Sequence, residues 1–128
     1  MRYNTPTPYL SLCIPTYNRA SYLRNSIETI ICQNEFKTGE VEIVISDNAS
    51  SDDTEKIGRE YADRFENILY FRNEQNIVND NFPLALSRAN GILRRLCNDT
   101  RCFREGSLRR MCDAALRYQD TKPYLCWM

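Results

Sequence analysis

The chain has 128 residues, with 17 basic and 17 acidic side chains and no histidine. At ~100–200 residues per domain it is one small domain or a piece of a larger one, and its balanced charge excludes a strongly basic nucleic-acid module held by counterion release. With 42% hydrophobic residues, four glycines and five prolines it is not a low-complexity chain.

No apolar run reaches the ~20 residues that span a bilayer. Polar Met1–Tyr9 lacks a signal-peptide core, so the expected location is the cytoplasm.

Tyr9–Ile14 reads as a first strand, stopped by Pro15. Asn18 then reads as a helix N-cap, with Tyr22, Leu23, Ile27, Ile30 and Ile31 at helical spacing, until Gly39 breaks the segment. Val41–Ile45 is a β-branched second strand. Turn and cap formers follow over Ser46–Asp52, and a helix starts within Ser51–Thr54, carrying Ile57, Tyr61, Ala62 and Phe65 on one face.

Asn67–Phe71 is a third strand, Asn73–Asn81 a polar loop, and Phe82–Ala89 a short helix that Asn90–Gly91 ends. Ile92–Cys97 reads as a fourth strand. Gly106–Ser107 opens a last helix containing Leu108, Met111, Ala115, Leu116 and Tyr118, and Tyr124–Met128 begins another apolar run. Strands alternating with helices predict an α/β fold with a mainly parallel sheet. Ligands of such sheets bind beyond the carboxyl ends of the strands, near a topological switch point. Three polar clusters follow strands there: Pro15–Arg19, Ser46–Asn48 and Asn98–Thr100.

Each cluster has a chemical reading and a plainer one. Arg19, at a helix start, suits phosphate, and Tyr17 can stack on a flat ring. A capped loop with a solvated arginine is the alternative. Asp47 suits a base edge or a ribose hydroxyl, and a turn equally well. Asn48, Ser50 and Asp52 fit turn and cap roles, Asp52 above all. Asp99 is the one carboxylate of its cluster, a thin ligand set for a divalent ion.

Arg94, Arg95, Arg101, Arg104, Arg109, Arg110 and Arg117 make the C-terminal third basic. Such a run is usually a solvated helix face, but it also suits pyrophosphate or anionic lipid headgroups. Arg94 and Arg95 are unusual in a strand covered on both faces. They place it at an edge, or against something else. The cysteines, Cys13, Cys32, Cys97, Cys102, Cys112 and Cys126, contain no Cys-x-x-Cys pair. They read as buried thiols rather than as a disulfide framework or a metal site. Without histidine, Ser-His and Cys-His catalysis by these 128 residues alone are excluded.

Leu10–Arg19, reading LSLCIPTYNR, resembles the opening strand of the family-two, GT-A type nucleotide-sugar glycosyltransferases. Val41–Thr54, VEIVISDNASSDDT, resembles that family's second motif. Asn73–Asn76 and Ala89–Gly91 are similar to the loop and helix before its acidic motif, and Leu96–Thr100 with Glu105–Leu108 sits where the Asp-x-Asp type motif lies.

The resemblance implies a Rossmann-like sheet with helices on both faces. It also implies one donor-binding domain over residues 1–128, incomplete because the family's acceptor half and catalytic base lie beyond the motif. Pro15, Thr16, Tyr17, Asn18, Arg19, Asp47, Asn48 and Asp99 would bind the donor. Pro15–Tyr17 and Asp47 would hold the base, with Asp99 at ribose and pyrophosphate near Mn²⁺ or Mg²⁺.

The implied reaction is inverting transfer of a sugar from a nucleotide-diphosphate donor, UDP-type, to the hydroxyl of a glycan or lipid-linked acceptor in bacterial polysaccharide synthesis, at the inner face of the membrane. The depleted acidic motif, with Thr100 and Arg101 where the family carries carboxylates, weakens the metal expectation. It keeps open a non-catalytic nucleotide-sugar-binding or interaction module. No unrelated nucleotide loop of the GxxxxGK[ST] or GxGxxG type is present.

Overall fold

The computed structural model describes residues 7–117 and the backbone of 125–126. Tyr118, Tyr124, Trp127, Met128, the side chain of Cys126 and the segment before Thr7 lie outside the described residues. Five parallel strands form one sheet in the order β3-β2-β1-β4-β5. They are β1 Leu10–Thr16, β2 Val41–Asp47, β3 Ile68–Arg72, β4 Leu93–Leu96 and β5 Leu125–Cys126. The helices are α1 Ala20–Ile31, α2 Asn34–Lys37, α3 Thr54–Arg64, α4 Asn81–Ser87 and α5 Ser107–Arg117, with a 3₁₀ turn at Val78–Asp80.

The period-two alternation of the strands sorts side chains onto the two faces. Leu10, Leu12 and Ile14 of β1, with Val41, Ile43 and Ile45 of β2, pack with Leu23, Ile27 and Ile30 of α1, Ile57 and Tyr61 of α3, and Leu108, Cys112 and Ala115 of α5. On the opposite face Cys13, Val44 and Leu96 pack with Ala85 and Leu86 of α4, and Ala89 beyond it. The chain thus builds the sheet outward from β1 through β2 to β3. It then crosses the other face through α4 and lays β4 on the free side of β1. The expected doubly covered sheet is present, and the strand order reverses between β1 and β4.

Several boundaries differ from the sequence expectation. Pro15 lies inside β1 rather than ending it, in register with Ser46. The carbonyl of Cys13 accepts from Cys97 N–H, so the same edge of β1 at Pro15 faces past the end of β4. No ladder donor is needed there, and proline costs nothing. The first helical segment is two helices, since α1 ends at Ile31 and α2 is a separate short one.

α4 starts at Asn81 and ends at Ser87, and β4 is shorter than Ile92–Cys97 at both ends. Asn18 does not cap α1: Arg19 precedes the helix without a side-chain cap, and Asn18 has φ +51°. Gly91 is no left-handed helix stop either. A Cβ there would lie 2.5 Å from Ser11 Oγ and 2.8 Å from Ser11 N, so this glycine exists to let the chain cross against β1.

Polar groups on the α4 face are satisfied within the sheet. Glu42, in the middle of β2, accepts from the Ser11 hydroxyl at 2.7 Å and from Asn90 N–H at 2.6 Å. Gly91 N–H donates to Ser11 Oγ at 2.8 Å. Arg94 reaches toward the carbonyls of Gly91 and Leu86, which answers for one of the two strand arginines.

Candidate functional site

The loops leaving β1 and β4 run toward opposite edges of the sheet, and a crevice opens between them, as expected at a switch point. A cavity of about 470 Å³ occupies it, lined by Pro15, Tyr17, Arg19, Phe82, Leu96, Cys97, Asn98 and Asp99. This size is typical of small-molecule sites. A smaller recess of about 100 Å³ adjoins it, sharing Pro15, Tyr17 and Phe82 and adding Thr16, Asn48, Val78 and Asn81. Tyr17 and Val78 are 46% and 69% exposed at this rim, an apolar border on an otherwise polar sheet end.

Asp99 is brought to β1 by Thr16, whose hydroxyl donates to Asp99 Oδ2 at 2.9 Å. Burial raises the Asp99 carboxyl above the ordinary carboxylate range, against the Thr16 hydrogen bond and the Arg19 charge. Asn98 and Thr100 form a local turn, with Thr100 N–H and hydroxyl both donating to Asn98 Oδ1. Asp99 is therefore the one carboxylate lining the cavity. Among the described residues no three His, Cys, Asp or Glu side chains are grouped to hold a metal. The donor set fails the test for a divalent ion held by the protein alone.

Asp47 is fully buried and lines neither space. Its Oδ1 accepts from Ser50 N–H at 3.0 Å and Ser50 hydroxyl at 2.6 Å, and its Oδ2 accepts from the Tyr70 hydroxyl. Partial burial first, and the hydrogen bond to Asp47 second, push the Tyr70 hydroxyl strongly upward in pKa. Gly58 makes this possible: a Cβ there would stand 2.3 Å from the Tyr70 ring, so only glycine in α3 lets the ring lie flat enough to reach Asp47.

Asn48 is likewise absorbed by structure. Its Oδ1 accepts from Ile77 N–H at 2.8 Å and from Asn73 Nδ2 at 3.1 Å, and its Nδ2 donates to Asn76 Oδ1 at 2.8 Å. This network holds the Asn73–Asn81 segment whose end carries Val78 and Phe82 to the rim.

Asn18 joins the first two loops instead of meeting the cavity. Its Oδ1 accepts from Ser51 N–H at 2.8 Å and Asp52 N–H at 3.3 Å, while Asp52 Oδ2 accepts from Ala20 N–H at 3.2 Å. Asp52 Oδ1 also accepts from Thr54 N–H at 2.9 Å. Each loop thus supplies the cap of the other, and the cap role expected of Asp52 extends to α1 as well as α3. Burial acts the other way, but these hydrogen bonds hold the Asp52 carboxyl below the usual carboxylate range.

Of the eight sequence candidates, Pro15, Tyr17, Arg19 and Asp99 meet in the main cavity, and Thr16 and Asn48 meet in the recess. Asn18 and Asp47 brace the loops. Sequence reasoning missed Phe82, read only as the start of a short helix, which is a half-exposed wall of the cavity. Its only signal was its place just after an asparagine-rich loop.

The sequence model for "Glycosyl transferase family 2" matches residues 11–119. The chain is 43% identical over 84 residues to abequosyltransferase RfbV of Salmonella typhimurium, covering 64% of this chain and 25% of that protein. Its fold superposes on S. aureus TarS 1–349 in complex with UDP, with a TM-score of 0.71 and 25% identity over 87% of this chain and 32% of that one. The mannosyltransferase PcManGT of Pyrobaculum calidifontis, solved with GDP-Man and Mn²⁺, has a TM-score of 0.69 at 20% identity, over 86% of this chain and 32% of that one. The chain spans a quarter to a third of the length of these relatives.

Proposed function

Because the chain belongs to glycosyl transferase family 2, we propose that the crevice between β1 and β4 binds the nucleotide diphosphate of a sugar donor, UDP-type, and that residues 1–128 form one donor-binding domain. The observation that carries this reading is the convergence of an aromatic pair, Tyr17 and Phe82, with one cation, Arg19, and one buried carboxylate, Asp99, in a single cavity. A pyrimidine stacks on an aromatic ring. A guanidinium fork suits diphosphate oxygens, and a carboxylate accepts from ribose hydroxyls. The UDP complex of TarS supports the choice of nucleotide.

In the reaction proposed, an acceptor hydroxyl on a glycan or lipid-linked sugar attacks the anomeric carbon. The bond from that carbon to the diphosphate breaks, with inversion. The hydroxyl proton passes to a base that is none of the residues assigned here, and Arg19 faces the charge gathering on the leaving diphosphate. Polysaccharide synthesis is the setting proposed, in line with the name of the abequosyltransferase relative. A divalent ion would enter only with the donor's phosphates, with Asp99 as its one protein ligand, and would offset charge on the diphosphate. The lone carboxylate also favours a second reading, donor binding without transfer.

Titration calorimetry with UDP tests the proposal. Binding by the parent that weakens by ~1–3 kcal/mol in Tyr17→Ala and in Arg19→Gln is the expected result. No binding, or equal affinity in all three proteins, would overturn it. An assay for sugar release from UDP-sugars separates transfer from binding alone.

A further inference from the structure

A basic cluster lies outside the crevice. A second cavity, about 540 Å³, sits between β4, the 101–106 turn and α5. Four arginines line it, Arg95, Arg101, Arg104 and Arg110, with Phe103 and Met111 in its apolar part, and among the described residues no carboxylate is in the lining. Register fixes the direction of Arg95: it pairs with Leu12, whose side chain is on the α1 and α5 face. It therefore points away from the hydrogen-bonded polar group around Glu42 that Arg94 joins.

Among the described residues these guanidiniums have no hydrogen-bond acceptor or ion-pair partner. Among the described residues, none of the four takes part in a salt bridge, whereas Arg109 on the same helix pairs with Glu35, Glu40 and Asp113. The Nε–H groups of Arg95 and Arg101 are shielded from water and meet no acceptor, and Arg101 stacks 5.2 Å over the Phe103 ring. Buried donors left unpaired are costly and need a reason.

The wall behind them is held in place. Phe103 N–H donates to Thr29 Oγ1 at 3.0 Å, and Gln33 Nε2 donates to the Arg104 carbonyl at 3.1 Å.

The geometry points to a second anion site, separate from the donor crevice, in which Arg95, Arg101, Arg104 and Arg110 take up a phosphoryl group. Planar guanidinium forks match phosphoryl oxygens two at a time. Phe103 and Met111 offer an apolar floor for whatever carries the phosphate. The group can come from a soluble phosphate ester or from the headgroup of an anionic lipid, and the chemistry of capture is the same.

Two probes separate these sources. Inorganic pyrophosphate is titrated calorimetrically into the full chain, and sedimentation is measured with phosphatidylglycerol and with phosphatidylcholine vesicles. The variants are Arg104→Gln/Arg110→Gln, both exposed positions, and Tyr17→Ala/Arg19→Gln in the donor crevice. The site is supported if pyrophosphate or phosphatidylglycerol binding falls about tenfold or more in the first pair and persists in the second. Binding to phosphatidylglycerol vesicles identifies a headgroup as the source, and binding to pyrophosphate alone identifies a soluble phosphate. The site is overturned if neither probe binds, or if binding is lost in the Tyr17/Arg19 pair and kept in the Arg104/Arg110 pair. Because the second pair reads only the donor crevice, failure of one assignment leaves the other standing.

Discussion

Asp99 sets burial against charge at the crevice. Its pKa is raised by folding, so the protonated form is the one that folding favours. That contribution to stability is complete below the carboxyl's unfolded pKa and is lost as pH rises through the folded one. Asp99→Asn keeps an oxygen to accept from Thr16 and removes the charge. The variant is expected to melt higher than the parent at pH 7 and at the same temperature near pH 3, while its affinity for UDP falls by ~1–3 kcal/mol. Equal melting at both pH values would show that the carboxylate carries no burial cost.

The thiols divide by the same reasoning. Burial pushes Cys13, Cys97 and Cys112 up to about 12, and a protonated thiol is a poor nucleophile. Cys32 and Cys102 are exposed instead, which corrects the expectation that they are buried. Alkylation of the native chain followed by peptide mass analysis is expected to mark Cys32 and Cys102 and to spare Cys13, Cys97 and Cys112.

At the scale of elements, the molecule depends on contacts between loops that are distant in sequence. Asp52 serves Thr54 at the start of α3 and Ala20 at the start of α1, and Asn18 serves Ser51 and Asp52 in return. Asp52→Ala is expected to cost about 1 kcal/mol, as measured by chemical denaturation. A double-mutant cycle with Asn18→Gly is expected to show coupling, since each side chain holds the other's loop. Additive effects would mean that the two caps act independently.

Gly91 carries a heavier cost. The added Cβ of Gly91→Ala meets the backbone of Leu10 and Ser11, and no rotamer can relieve that. A loss of ~1–3 kcal/mol in denaturant stability is expected.

At the scale of the whole molecule, stability is graded from the centre of the sheet outward. Every residue of β2 is buried, and β1 is hydrogen-bonded on both sides by β2 and β4. The Asn73–Asp80 segment is held by asparagine side chains instead of a ladder, with Val78 at φ +54°, a costly conformation for a β-branched residue. Hydrogen exchange is expected to be slowest in Leu10–Thr16 and Val41–Asp47 and far faster between Asn73 and Asp80. Uniform exchange would contradict this gradient. The gradient also places the rigid strand ends beneath the crevice and the weaker segment at its rim. No helix among the described residues is long and apolar enough to cross a membrane.

The sequence alone determined the alternation of strands and helices, the parallel sheet and the three polar clusters at its carboxyl edge. Hydrophobic periodicity and turn chemistry are local properties, and a strand of Val and Ile reads the same wherever it lies. The motifs over Leu10–Arg19 and Val41–Thr54 were legible for the same reason.

The tertiary structure alone decided which polar residue faces a ligand and which one braces a loop. Asp47 and Arg19 are both charged residues at the carboxyl ends of strands, yet the Tyr70 hydroxyl, given room by Gly58 of α3, closes over the first. Arg19 is left lining open space. Partnership between side chains far apart in the chain has no periodic signature, because it depends on the strand order that brings them together.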